Sequence, residues 1–209
     1  MPRTVEGWAQ RHESFNQRAR QGDVDLICIG DSITHAWELT GKDIWNRYYG
    51  HRKAMNLGIG GDCTQHVLWR LYHGNIDGIS PKAAVLMIGT NNSNGTDNTA
   101  EEIADGITDI VKLLRSKLPQ TKVLILGIFP RGETASQQRE KNAKASDIAM
   151  RIADGRMIHY MNIGEHFLEA DGTLTKEIMP DYLHLSPRGY QIWAIAIEGK
   201  LRELLGETR

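Results

Sequence analysis

Four short segments of this chain carry residue types suited to breaking an acyl bond. The first is Gly30-Asp31-Ser32-Ile33, which follows the apolar run Val24-Asp25-Leu26-Ile27-Cys28-Ile29 and so falls where a buried strand gives way to a turn. In open α/β folds that edge is where ligands bind, which makes Ser32 a candidate nucleophile. A neutral hydroxyl is a weak nucleophile; it needs a base within hydrogen-bond reach, and the base needs a partner that fixes its tautomer. Asp181-Tyr182-Leu183-His184 supplies both, His184 as base and Asp181 as the orienting carboxylate. Three-residue spacing on one helical turn would bring the two side chains to the same side. Pro180 before this segment and Ser186-Pro187 after it keep it short.

The other two segments, Gly58-Ile59-Gly60-Gly61-Asp62 and Gly89-Thr90-Asn91-Asn92, offer hydrogen-bond donors. Attack on an ester carbonyl puts negative charge on its oxygen, and each preorganised donor there is worth ~3–4 kcal/mol of barrier height. Gly61 can present a backbone N–H at close range, Asn91 a side-chain amide, and the Ser32 N–H a third donor. Taken singly, each segment has a plainer explanation. An isolated Asp-x-x-His is most often a solvated surface pair, and a Gly-x-Gly-Gly run is often a tight turn or a phosphate cradle. The glycines do not follow the first strand, do not form G-x-G-x-x-G, and are not joined by any Gly-Lys-Ser/Thr, which argues against nucleotide binding.

Elements able to position these residues are legible along the whole chain. Apolar runs near 24–30, 53–58, 83–88, 121–128 and 156–161 predict strands, and helical periodicity near 5–20, 64–73, 99–117, 136–154 and 187–205 predicts the helices between them. In the last helix Ser186 offers an N-cap and Pro187 the first helical position, with Ile192, Trp193, Ala196, Ile197, Leu201 and Leu204 on one face. Right-handed crossovers then give a three-layer α/β/α sandwich around a five-stranded parallel sheet. At 209 residues, with no repeat or linker, one domain over 1–209 is expected.

Composition narrows the function classes. Hydrophobic residues at 40%, charged residues at 24% and a net charge of -1 describe an ordinary soluble protein with no field to attract nucleic acid or an anionic membrane. No run of ~18 apolar residues predicts a membrane span, and the first residues lack a signal-peptide core, which points to the cytoplasm. A signal peptide removed beforehand would leave the same sequence and a periplasmic or secreted protein. Two cysteines, Cys28 and Cys63, without Cys-x-x-Cys or matching histidines, predict neither a disulfide framework nor structural zinc. Cys28 reads as strand core and Cys63 as the more accessible thiol. His12, His35, His51, His66, His73, His159 and His166 share no ligand spacing, so no metal is expected.

The four segments, in this order, resemble the four blocks of the SGNH superfamily, the GDSL hydrolases. On that resemblance Ser32 is the nucleophile, Asp181 and His184 complete the triad, and Gly61 and Asn91 join the Ser32 amide in the oxyanion hole. The first block has Ile33 where the family name has leucine, a conservative apolar change. Longer stretches, Gly58 through Leu71, Pro130-Arg131-Gly132-Glu133 and Lys141-Asn142-Ala143-Lys144, resemble the catalytic subunits of platelet-activating-factor acetylhydrolases. The resemblance implies a flavodoxin-like fold, short acyl groups such as acetyl, no cofactor and a homodimer. The alcohol part stays open among acetylated sugars, lipids and simple esters.

Rival activities use the same residues. A lysophospholipase or thioesterase would need a long apolar groove, and an acyltransferase would pass the acyl group to an alcohol other than water. A noncatalytic binding module would have no use for the full catalytic set. Around the site, Trp37 is a candidate wall of the acyl pocket, while Leu68, Trp69 and Leu71 read as core. Asp62 and Arg70 are expected to pair and hold Gly61. Arg131 and Glu133 form either an ion pair or a substrate or dimer contact.

Overall fold

A computed structural model describes residues 1–207 of the chain. Five parallel strands, β1 (Leu26–Gly30), β2 (Ala54–Gly58), β3 (Ala83–Met87), β4 (Lys122–Leu126) and β5 (Ile158–Met161), form one sheet in the order β2-β1-β3-β4-β5. The order reverses at β1, so the crevice beyond its carboxyl end is the topological switch point of the fold. Gly30 is level with Gly58 on one side and with Met87 on the other. The loops leaving β1, β2 and β3 therefore start from one line.

Strand side chains alternate between two apolar layers. Ile27, Ile29, Leu57, Leu86 and Ile125 face a layer built from α1 (Trp8–Arg20), α4 (Thr64–Tyr72), α5 (Ala100–Lys117) and α6 (Gln137–Ala149). Leu26, Cys28, Val85, Met87 and Leu126 face the opposite layer, dominated by α7 (Pro187–Leu205). Every residue of β1 and β3 is buried, as expected of central parallel strands covered on both faces. Each fully buried Leu or Ile contributes ~1.5–3 kcal/mol.

The helix ends follow local chemistry. Ser186 accepts from the Gly189 N–H with Pro187 at the first helical position, and Thr99 and Glu102 form a capping box at the start of α5. The expected helix over 5–20 begins only at Trp8, because Gly7 sits at φ 77° and breaks the periodicity there. The expected helix over 136–154 ends at Ala149 and tightens into a 3-10 turn over Met150–Ile152. Two short helices, α2 (Ser32–His35) and α3 (Lys42–Tyr48), fill the crossover between β1 and β2. They are too short to show a periodicity.

Candidate active site

The turn after β1 is set by close packing. A Cβ on Gly30 would lie 2.1 Å from Thr34 Oγ1 and 2.4 Å from the Met87 carbonyl oxygen, so only glycine lets α2 start directly at the strand end. Asp31 caps α2, its Oδ1 accepting from the Ile33 N–H at 3.0 Å. Ser32 is then the first residue of α2, half-buried at the carboxyl edge of the sheet.

Ser32 Oγ lies 2.9 Å from His184 Nε2, and His184 Nδ1 lies 2.6 Å from Asp181 Oδ2. With Nδ1–H donating to the carboxylate, Nε2 is left as the acceptor for the serine hydroxyl. The Asp181–His184 pairing is not helical, contrary to the spacing argument. The segment is a turn in which Tyr182 adopts φ 58°, and Asp181 Oδ1 accepts from the Leu183 and His184 N–H groups at 3.1 and 2.7 Å. One aspartate thus builds the turn with one oxygen and holds the imidazole with the other. Partial burial pushes the Asp181 carboxyl up, but its bonds to the His184 ring, the His184 N–H and the Leu183 N–H outweigh this and hold it below the usual carboxylate value. The pair is open to solvent, with Asp181 56% and His184 43% exposed.

The loop after β2 carries Gly61 at φ 75°, a conformation that favours glycine. Asn91 Nδ2 donates to the Asp62 carbonyl at 2.9 Å. An amide nitrogen has two hydrogens, so this bond fixes the amide plane and leaves the second N–H available. Asp62 and Arg70 are paired as expected, both fully buried, with Arg70 Nε 2.8 Å from Asp62 Oδ2. The same guanidinium donates to the Gly30 carbonyl at 3.0 Å and so connects the loop after β2 to the end of β1. Burial pushes the Arg70 guanidinium down from its ordinary value.

Asp31 is buried completely, and its Oδ2 has no protein partner. Burial pushes its carboxyl up to about 7; the Ile33 N–H pulls the other way, and the nearby Asp62 charge adds to the rise. Burial likewise pushes the Cys28 thiol up to about 12, as befits strand core. Cys63 is half-buried at the N-cap of α4, and its N–H donates to His66 Nδ1 at 2.9 Å. His66 is thus occupied as a helix-capping acceptor. Among the described residues, no group of three or more His, Cys, Asp or Glu side chains could hold a metal ion.

One expectation around the site is corrected, and one of the two alternatives for Arg131 and Glu133 falls. Trp37 is 1% exposed and packs among Tyr49, Tyr190 and Trp193, with ring centroids 5.3, 4.4 and 5.0 Å away. It is core beneath the site, because the short α2 turns the chain back onto α7 before Trp37 can reach the surface. Arg131 does not pair with Glu133. Its Nη1 donates to Thr90 O, Thr90 Oγ1 and Asn94 Oδ1 at 3.1, 3.2 and 3.0 Å, bracing the loop after β3. The exposed Glu133 instead neighbours Tyr182, whose hydroxyl is pushed up by desolvation and by the Glu133 carboxylate. Leu71 is buried, and Leu68 and Trp69 pack against the same layer, as expected.

Several supporting residues escaped sequence reasoning. Asn56, in β2, donates to the Thr34 carbonyl at 2.9 Å and accepts from the Gly58 N–H at 2.8 Å, tying α2 to the neighbouring strand. Tyr190 donates to the Ile33 carbonyl at 2.6 Å from α7. Asn92 Oδ1 accepts from the Thr64 N–H at 2.9 Å and joins the start of α4 to the loop after β3. A buried polar residue inside an apolar run is the only signal the sequence held, and it fits Asn56 alone.

The fold and the groups gathered at its carboxyl edge are those of an SGNH-type esterase. The chain belongs to the GDSL-like lipase/acylhydrolase family, whose profile matches residues 28–192. Over 203 residues it is 36% identical to the platelet-activating factor acetylhydrolase IB subunit alpha2 of Rattus norvegicus, covering 96% of this chain and 86% of that one. Its fold is similar to that of a GDSL-like lipase from Bacteroides thetaiotaomicron, with TM-score 0.69 and 19% identity over 93% of this chain and 97% of the other. It is similar also to a variant of an acetyl-xylooligosaccharide esterase from Geobacillus, with TM-score 0.68 and 19% identity over 88% and 94% of the two chains. Among the described residues no helix is long and apolar enough to cross a membrane.

Proposed function

We propose that this chain is a single-domain serine carboxylic-ester hydrolase that releases acetyl or another short acyl group through an acyl-enzyme. Ser32 Oγ attacks the ester carbonyl while His184 Nε2 takes its proton. The oxyanion is held by the Ser32 and Gly61 N–H groups and by the Asn91 amide hydrogen that Asp62 leaves free. His184 then protonates the departing alcohol, activates a water to release the acid, and returns the proton to Ser32. Asp181 stays ionised throughout and stabilises the imidazolium.

The observation that carries this reading is the continuous path from Ser32 Oγ through His184 to Asp181, at 2.9 and 2.6 Å. The short acyl group is supported by the relatives, whose names specify acetyl transfer to water from a platelet-activating factor and from an acetylated xylooligosaccharide. Hydrolysis rather than transfer is supported by the exposure of Asp181 and His184, which leaves water free to reach the base.

The test is a p-nitrophenyl ester series from acetate to palmitate, with Ser32→Ala as the blank. Turnover that peaks at acetate or butyrate and disappears in the blank is expected. A maximum at long chains would replace the short-acyl reading with a lysophospholipase or thioesterase. Activity that survives in the blank would remove Ser32 as nucleophile.

A further inference from the structure

Besides Asn91 and Arg70, which bond Asp62, three donors from the first eleven residues of the chain hold the loop that carries Gly61. Arg11 Nε donates to the Gly58 carbonyl at 2.8 Å, Trp8 Nε1 to Asp62 Oδ1 at 2.7 Å, and Arg3 Nη1 to the Gly60 carbonyl at 2.7 Å. These residues precede the matched family segment, which begins at residue 28. Arg11 and Trp8 belong to α1, whereas Arg3 lies on the irregular arm that leads into it.

Arg3 differs from the other two in what it holds. The Gly60 carbonyl and the Gly61 N–H belong to one peptide unit, which is planar and trans, so they point in opposite directions. Fixing the oxygen from one side therefore fixes the direction of the N–H on the other. With glycine on both sides of this peptide, little intrinsic barrier opposes its rotation. The guanidinium also lies against Gly61: a Cβ there would be 2.4 Å from Nη1 and 2.9 Å from Nη2. Gly61 thus gives the loop its φ of 75° and leaves Arg3 the room it occupies. A cation bound to the carbonyl further polarises the peptide and strengthens its N–H as a donor.

We infer that Arg3 is a positioning residue of the active site, which aims and polarises the Gly61 N–H from the carbonyl side of the same peptide and does not itself touch substrate. The inference rests on the proposed oxyanion role of Gly61. An oxyanion exists only in the tetrahedral species, so the effect belongs to kcat and leaves substrate binding alone.

The experiment compares wild type, Arg3→Ala, Arg3→Lys and Ser32→Ala on p-nitrophenyl acetate, with thermal unfolding as the check on folding. Arg3→Ala is expected to lower kcat about tenfold, with KM within about twofold and Tm unchanged. A trifluoromethyl ketone, which forms an oxyanion on serine, should bind Arg3→Ala more weakly by the same factor. Arg3→Lys, which keeps the charge and one donor, should recover most of the loss. A kcat within about twofold of wild type in Arg3→Ala would overturn the inference while leaving the esterase reading intact. A loss confined to KM would overturn it too, by showing that Arg3 binds substrate. Absence of any Ser32-dependent turnover in the wild type would remove the esterase reading and this inference together.

Discussion

Replacement of Asp181 by asparagine is the sharpest probe of the proposed mechanism, because it changes one proton position and little else. Asp181 accepts three bonds: Oδ1 takes the Leu183 and His184 N–H groups, and Oδ2 takes His184 Nδ1–H. An asparagine can keep its carbonyl on the two backbone donors, which preserves the turn, but its NH2 then faces Nδ1. Two donors cannot share 2.6 Å, so the imidazole is driven to the tautomer with its proton on Nε2. In that form it cannot accept the proton of Ser32. In an enclosed triad this substitution costs about 10⁴ in kcat, or roughly 5.5 kcal/mol. Here the carboxylate is 56% and the imidazole 43% exposed, and water competes with the asparagine for Nδ1–H. That competition returns about one decade, so Asp181→Asn is expected to lower kcat by about 10³, close to 4 kcal/mol. The assay is saturating turnover of p-nitrophenyl acetate, with circular dichroism to verify the fold. A loss smaller than about tenfold would refute the reasoning, since His184 would then be oriented without Asp181.

Asn91→Ala removes both the proposed oxyanion donor and the bond to the Asp62 carbonyl, and should lower kcat by about 10²–10³ with a much smaller change in KM. Unchanged steady-state kinetics would exclude Asn91 from that role. Arg70→Met leaves the fully buried Asp62 carboxylate with the Trp8 indole N–H as its one remaining side-chain donor among the described residues, and should cost about 3–5 kcal/mol in urea unfolding. A cost below about 1 kcal/mol would show that Asp62 takes up a proton or water instead. Asp31 gives a pH dependence. Its native carboxyl holds its proton to about 7, whereas the unfolded group releases it near 4, so between these values the native state binds more protons and loses stability as pH rises. Asp62, Arg70, His184, Tyr190 and Arg131 all feel the Asp31 charge. Asp31→Asn keeps the Ile33 cap and removes the titration, so its stability relative to wild type should rise by about 3 kcal/mol from pH 5 to pH 8. A difference independent of pH would contradict the shift.

The strands and long helices were legible because their signals are local. An apolar run such as Leu26–Ile29 has one stable fate in a chain of this length, burial between two layers, and the five runs together prescribe a parallel sheet. Helix ends were legible where a cap announced them, at Ser186. They were missed at Gly7, where left-handed backbone ended a continuing periodicity. The candidate site was legible in its residue types: Ser32, Asp181 and His184 had to be brought together for any of them to make chemical sense. The structure places them within hydrogen-bond distance.

Residue order fixes which groups are available and which strand end they leave from. Tertiary structure alone decided how they are held. That Asp181 acts through a turn rather than a helix depends on Tyr182 taking a positive φ, which no spacing announces. That Trp37 is core, and that Arg131 braces the loop after β3 rather than meeting Glu133, depends on where α7 and β3 pass. Arg3 and Gly60 are 57 residues apart, and Tyr190 and Ile33 are 157 apart. Such pairs carry no periodicity and obey no local propensity; they exist only because a right-handed crossover and a helix packed on the sheet bring distant chain segments to one edge.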